Sequence, residues 1–117
     1  MSKIKFELQP GEEVIDTWAL NYIPPNGGKY NGNCTITNIQ IVFEALIDYS
    51  ATAILFKGMW LKPGSLLHII KEEIVNIETK KTFLSKQIQL SLANGEIHTL
   101  DRGAMGISTI LDAIIKR

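Results

Sequence analysis

The sequence predicts a mainly β domain: a small barrel of about seven antiparallel strands capped by one C-terminal α-helix. Three observations lead there. Short runs rich in β-branched and aromatic residues are cut at close intervals by Pro, Gly and Asn. The pair Asn94-Gly95 stands between alternating apolar residues, Ile88, Leu90 and Leu92 before it and Ile97 after it. In the last stretch, Ile107, Ile110, Leu111, Ile114 and Ile115 change the apolar period to that of one helical face.

The elements follow in order. Pro10-Gly11 opens a run over 12–23 in which Val14, Trp18, Leu20 and Tyr22 share one parity, broken by Asp16. Pro24-Pro25-Asn26-Gly27-Gly28 excludes regular structure and marks a loop. Runs over 30–37 and 40–48 flank Asn38, where a tight turn reverses the chain. The segment 49–65 is ambiguous: a short strand pair, an edge strand and a helical turn all fit its apolar but interrupted pattern. Runs over 66–70, 74–81, 86–92 and 96–100 complete the set. Asn94-Gly95 suits a type I′ turn, whose central residues both need positive φ. The final helix is placed at 103–117, with Asp101 as its N-cap or near-cap and Lys116 and Arg117 suited to the negative end of its dipole; Gly103 and Gly106 weaken its first turn.

Composition narrows the function. A chain of 117 residues is one domain over 1–117, with 1–10 as an N-terminal extension. Twelve basic and twelve acidic residues cancel, whereas domains that grip nucleic-acid backbones carry a basic excess. One cysteine, Cys34, offers no internal disulfide and no paired thiol for zinc or redox chemistry. No apolar run reaches the ~20 residues of a membrane span, and the N-terminus carries no secretory pattern. A cytoplasmic protein, free or peripheral to the membrane, is expected.

The stretch Gly32-Asn33-Cys34-Thr35-Ile36-Thr37-Asn38-Ile39-Gln40-Ile41-Val42-Phe43 resembles the G-x-L-x-L-T-N-x-R-L-V-F pattern of pleckstrin-homology-like domains of the GRAM branch, including small bacterial ones. Leu8–Ile15 is similar to that family's L-x-P-G-E opening. Ile74-Val75-Asn76-Ile77-Glu78 and Asn94-Gly95-Glu96 resemble its later strand and hairpin. The resemblance implies a pleckstrin-type fold and a non-catalytic binding role. Two departures stand out: Gln40 replaces a basic residue, and Cys34 replaces a larger aliphatic one. Gly32 is read as permitting a bend or close approach, with Cys34 and Ile36 facing the core.

No catalytic constellation is present: no carboxylate pair accompanies a nucleophile, and neither G-x-S-x-G nor H-E-x-x-H occurs. His68 and His98 stand singly in strand runs, so no metal site and no cofactor is expected, and the chain is read as a non-enzyme. Asn26-Gly27-Gly28-Lys29 lacks the spacing of a phosphate loop and leads into a strand. Where pleckstrin-type domains clamp a phosphorylated headgroup in their first strands, residues 12–47 offer Lys29 as the only basic side chain. Protein–protein binding is the leading expectation, with self-assembly through an apolar edge formed by Ile54, Leu55, Phe56, Met59, Trp60 and Leu61. The alternative is peripheral binding to anionic lipid through Lys80, Lys81, Phe83, Leu84 and Lys86. Against that alternative, Phe83 and Leu84 are expected to fold back on the barrel and leave the lysines as a solvated rim. A small-molecule carrier ranks third, because small barrels are filled by their own side chains.

Overall fold

The computed structural model describes residues 6–25, 27–46 and 66–116. They form seven strands, β1 (Val14–Ile23), β2 (Tyr30–Thr37), β3 (Gln40–Ala45), β4 (Leu66–Ile70), β5 (Ile74–Lys81), β6 (Lys86–Leu92) and β7 (Ile97–Asp101), then one helix, α1 (Ser108–Ile115). All strand pairs are antiparallel, in the order β4-β3-β2-β1-β7-β6-β5. The class is therefore mainly β, as the alternating runs predict. The sheet is open rather than a closed barrel. At the corner between its outermost strands, the 3-10 turn Lys71–Glu73 directs its backbone to other neighbours: Lys71 N–H donates to Ile39 O at 2.9 Å, and Glu73 O accepts from Ala93 N–H at 2.9 Å.

One face of this sheet is dry. Tyr22, Cys34, Ile36, Phe43, Ile88 and Leu90 are buried, and Ile107, just before α1, and Ile110, Ala113 and Ile114 on it join them in the core. Cys34 and Ile36 face the core as expected. A bulge between Val14 and Asp16 explains the break in the parity of β1: Ile15 packs on the core and Asp16 turns outward. Gly32 marks a close approach, because a Cβ there would lie 2.0 Å from Glu44 O and 2.7 Å from the Phe43 ring.

Four local expectations are corrected. The β6–β7 hairpin forms, but its loop is Ala93-Asn94-Gly95, closed by Leu92 N–H to Glu96 O at 2.9 Å and Gly95 N–H to Leu92 O at 3.0 Å. Gly95 alone takes positive φ (91°), so the turn is type I with a glycine bulge, not type I′. The Asn94 carboxamide then accepts from Glu96 N–H at 2.9 Å, which suits this longer loop. The helix occupies Ser108–Ile115 rather than 103–117, its N-cap is Ile107, and no side chain caps it. Asp101 instead ends β7, buried, where its carboxylate accepts from Gly103 N–H, Gln87 and Lys29 at 2.7, 3.1 and 3.3 Å. Ile115, counted with the apolar face, is 59% exposed.

Two backbone contacts gather several connections at one end: Lys71 N–H meets Ile39 O, and Ala93 N–H meets Glu73 O. The clasp end carries the N-terminal segment, the β2–β3, β4–β5 and β6–β7 turns, and the end of α1. Here the stretches with family-like motifs meet. Glu12, buried, accepts from Gln9 N–H, Thr37 Oγ1 and Gln40 Nε2 at 2.9, 2.6 and 3.0 Å. The Asn38 side chain accepts from Glu13 N–H at 2.7 Å and donates to Gly11 O at 3.0 Å. Gln40 also accepts from His68 Nδ1 at 2.9 Å. Position 40 thus faces a buried carboxylate, and its polarity serves this network rather than a ligand.

A second anchor was silent in the sequence. Lys71, 1% exposed, donates from Nζ to Ala113 O at 2.7 Å and Lys116 O at 2.5 Å, satisfying carbonyls at the end of α1. The tip end, at the far ends of β5, β6 and β7, carries the β5–β6 turn and the β7–α1 loop; the β1–β2 connection lies on the β6–β7 turn side of β7, because Ile23 pairs with Thr99 and Asn21 with Asp101.

Lys71→Met keeps the bulk but leaves those carbonyls without their donor, and is expected to lower unfolding free energy by about 2–3 kcal/mol in urea titration. Burial disfavours the charged form of Glu12, but the three hydrogen bonds outweigh it and hold its carboxyl below the ordinary 4.5. A depressed carboxylate contributes stability above its unfolded pKa that is lost as pH falls through the folded one. Stability is therefore expected to decline below about pH 4.5, and Glu12→Gln to flatten that decline in urea titrations repeated across acidic pH.

Candidate functional site

The tip end draws attention through the β5–β6 turn. Thr82 and Ser85 build it between them. Thr82 N–H donates to Ser85 O at 2.7 Å, Thr82 Oγ1 donates to the same carbonyl at 3.1 Å, and Ser85 N–H donates to Thr82 Oγ1 at 3.0 Å. The central residues, Phe83 and Leu84, take no part, and neither has positive φ. They are 90% and 73% exposed. The expectation that they fold back on the sheet is overturned. A turn of two residues joins β5 directly to β6, so the strands carry both side chains past the core before the chain can return.

The surrounding charge is basic. Lys80 and Lys81, both exposed, end β5, and Lys86 opens β6 opposite Lys81. Arg102 follows β7 and hydrogen-bonds through its backbone N–H to Lys86 O at 3.1 Å. Lys29 reaches Asp101 from the β1–β2 connection at 3.3 Å. The acidic groups toward this end are Asp101, which is buried, and Glu78, which is exposed two residues before Lys80 on β5. Burial disfavours the Asp101 charge, but hydrogen bonds from Gly103, Gln87 and Lys29 hold its carboxyl below the usual range. At the clasp end the exposed charges are Glu13, Glu72, Glu73, Glu96 and Asp112, with Lys116 beside them and Lys71 buried. The zero net charge of the sequence thus conceals a polarised molecule among the described residues.

The other candidate positions resolve differently. Ile54, Leu55, Phe56, Met59, Trp60 and Leu61 lie outside the described residues. His98 is buried between Tyr22, whose hydroxyl lies 2.5 Å from Nδ1, and Glu96, 3.2 Å from Nε2. A carboxylate can only accept, so in the neutral ring Nε2 carries the proton and Nδ1 accepts from Tyr22. Burial, with Glu96 and Tyr30 nearby, pushes the Tyr22 phenol well above its ordinary value. Burial likewise pushes the Cys34 thiol up to about 12. These groups are core members with satisfied chemistry. A shallow groove of about 310 Å³ runs between β1 and α1, bordered by Trp18, Asp16, Asp112 and Lys116. Sequence reading missed Arg102 and Lys29 as parts of the basic end, because residues far apart in the chain carry no common spacing signal. It also missed Met105 in the β7–α1 loop, which is 60% exposed.

No family model matches the chain, and no curated protein matches it. Among solved structures, it is similar to the crystal structure of the C-terminal domain of an unknown protein from Leishmania infantum. The two superpose with a TM-score of 0.61 at 14% identity, over 92% of this chain and 88% of that one. At that identity the likeness concerns the fold.

Because Phe83 and Leu84 contribute nothing to turn or core, the double substitution Phe83→Ser, Leu84→Ser is expected to leave the unfolding free energy from urea titration within about 0.5 kcal/mol of the parent.

Proposed function

We propose that this chain is a non-enzymatic module of the pleckstrin-homology-like, GRAM type that attaches peripherally to anionic membrane surfaces through Phe83, Leu84, Lys80, Lys81 and Lys86. One observation carries the reading: two large apolar side chains stand almost fully in solvent at a turn that does not need them. Exposed apolar surface of that kind marks contact sites. Its lysine border suits anionic headgroups, each cation near such a surface contributing ~1 kcal/mol. The polarised charge favours approach with the tip leading and the acidic end trailing. No helix among the described residues is long and apolar enough to cross a membrane, and surface attachment requires none.

The sparse basic charge of the first strands supports a charge-and-insertion contact rather than a headgroup clamp. Motif residues of the family-like stretches hold one another at the clasp end, which supports assigning them a folding role. The segment 54–61, the other candidate contact, lies outside the described residues, and a protein docking on the tip becomes an outcome of the test.

Sedimentation with vesicles of phosphatidylcholine, with and without phosphatidylserine, tests the reading. Binding is expected with phosphatidylserine at low salt, and loss at high salt. Phe83→Ser, Leu84→Ser is expected to weaken it about thirtyfold. Absence of binding at low salt overturns the reading. So does a change in solution mass of the double variant without any effect on vesicles, which would make the tip a protein contact.

A further inference from the structure

We infer that the β7–α1 loop is a second membrane contact, with Met105 entering the headgroup boundary beside the hairpin tip so that the domain docks in one fixed orientation. The inference rests on the membrane reading above and adds a second residue from a different element. Lys86 N–H donates to Gly103 O at 2.7 Å, Arg102 N–H donates to Lys86 O at 3.1 Å, and Lys86 Nζ donates to Ala104 O at 3.1 Å. These bonds tie the loop to the base of the β5–β6 hairpin. Within the loop, Met105 N–H donates to Arg102 O at 3.3 Å and Arg102 Nη1 donates to Gly106 O at 2.9 Å. The loop is closed by its own polar groups, and Met105 stands at its apex, 60% exposed between exposed Ala104 and Gly106.

Depth makes the two contacts compatible. Leu84 precedes Lys86 by two positions, so at ~3.3 Å per residue the tip reaches about 7 Å beyond the level where the loop is attached. Interfacial apolar groups lie ~5–10 Å into the headgroup and acyl boundary. With the tip at that depth, the loop rests at headgroup level, where a flexible thioether finds apolar surface and Arg102 and Lys86 meet anionic groups. A single insertion point leaves the domain free to tilt. A second point on the neighbouring connection removes that freedom and holds the clasp end away from the surface.

Single-site labelling decides this. Cys34 is fully buried, so Leu84→Cys, Met105→Cys and Asn94→Cys each provide one accessible thiol for an environment-sensitive fluorophore. With phosphatidylcholine–phosphatidylserine vesicles at low salt, blue shifts are expected at positions 84 and 105 and none at 94. A shift at 84 without one at 105 overturns the second contact and leaves the tip reading intact. No shift at 84 or 105 sinks both. A shift at 94 equal to that at 105 overturns the fixed orientation. Met105→Ser is expected to weaken vesicle binding about threefold to tenfold, with an unchanged urea midpoint.

Discussion

The buried ammonium of Lys71 is the constraint on which this architecture turns. An open sheet of seven strands leaves one apolar face to cover, and among the described residues one helix of eight residues packs on it. Such a helix is too short to hold itself together in water. Its end is fixed here by a lysine from the β4–β5 corner that donates to the carbonyls of Ala113 and Lys116. The same residue is tied through its backbone to Ile39, next to the turn that Glu12 and Thr37 organise. A continuous polar thread therefore runs from the N-terminal segment through the β2–β3 turn to the final helix. Its members are buried, so each depends on the others for satisfaction.

That thread concentrates the fold's polar chemistry at one end of the sheet. Glu12, Thr37, Gln40, Asn38 and Lys71 are all committed there, and the exposed charges around them are mainly acidic. The opposite end has a different character. Its hairpin turn closes with the side chain of Thr82 and the backbone of Ser85, leaving two apolar residues with no structural duty. Division of labour between the ends gives the proposed docking its direction: the buried polar anchors lie away from the proposed contact.

Much of the fold was legible because strand signals are local. The runs 30–37, 66–70, 74–81 and 86–92 coincide with β2, β4, β5 and β6, since alternation and turn residues lie within each window. Less was legible where a distant partner decides. Asp101 looked like a helix cap because its residue type suits that position before the apolar helical pattern, yet Gln87 and Lys29 claim its carboxylate inside the sheet. The β6–β7 turn kept its glycine but gained a residue, because register with the neighbouring strands, not the dipeptide, set its length. Of the candidate tip, the residue types and spacing were visible, but exposure was not.

By itself the sequence determined the mainly β class, the bounds of β2, β4, β5 and β6, and most of the apolar face of the last helix. Each of these depends on the period and chemistry of neighbouring residues. Tertiary structure alone decided that the sheet stays open, that Lys71 is buried on a helix end, and that Phe83 and Leu84 face solvent. It also brought Lys29, Lys86 and Arg102 to one end, separating the charges that cancel in the sum. Pairing across the sheet joins residues that are remote along the chain, and no local pattern records which of them will meet.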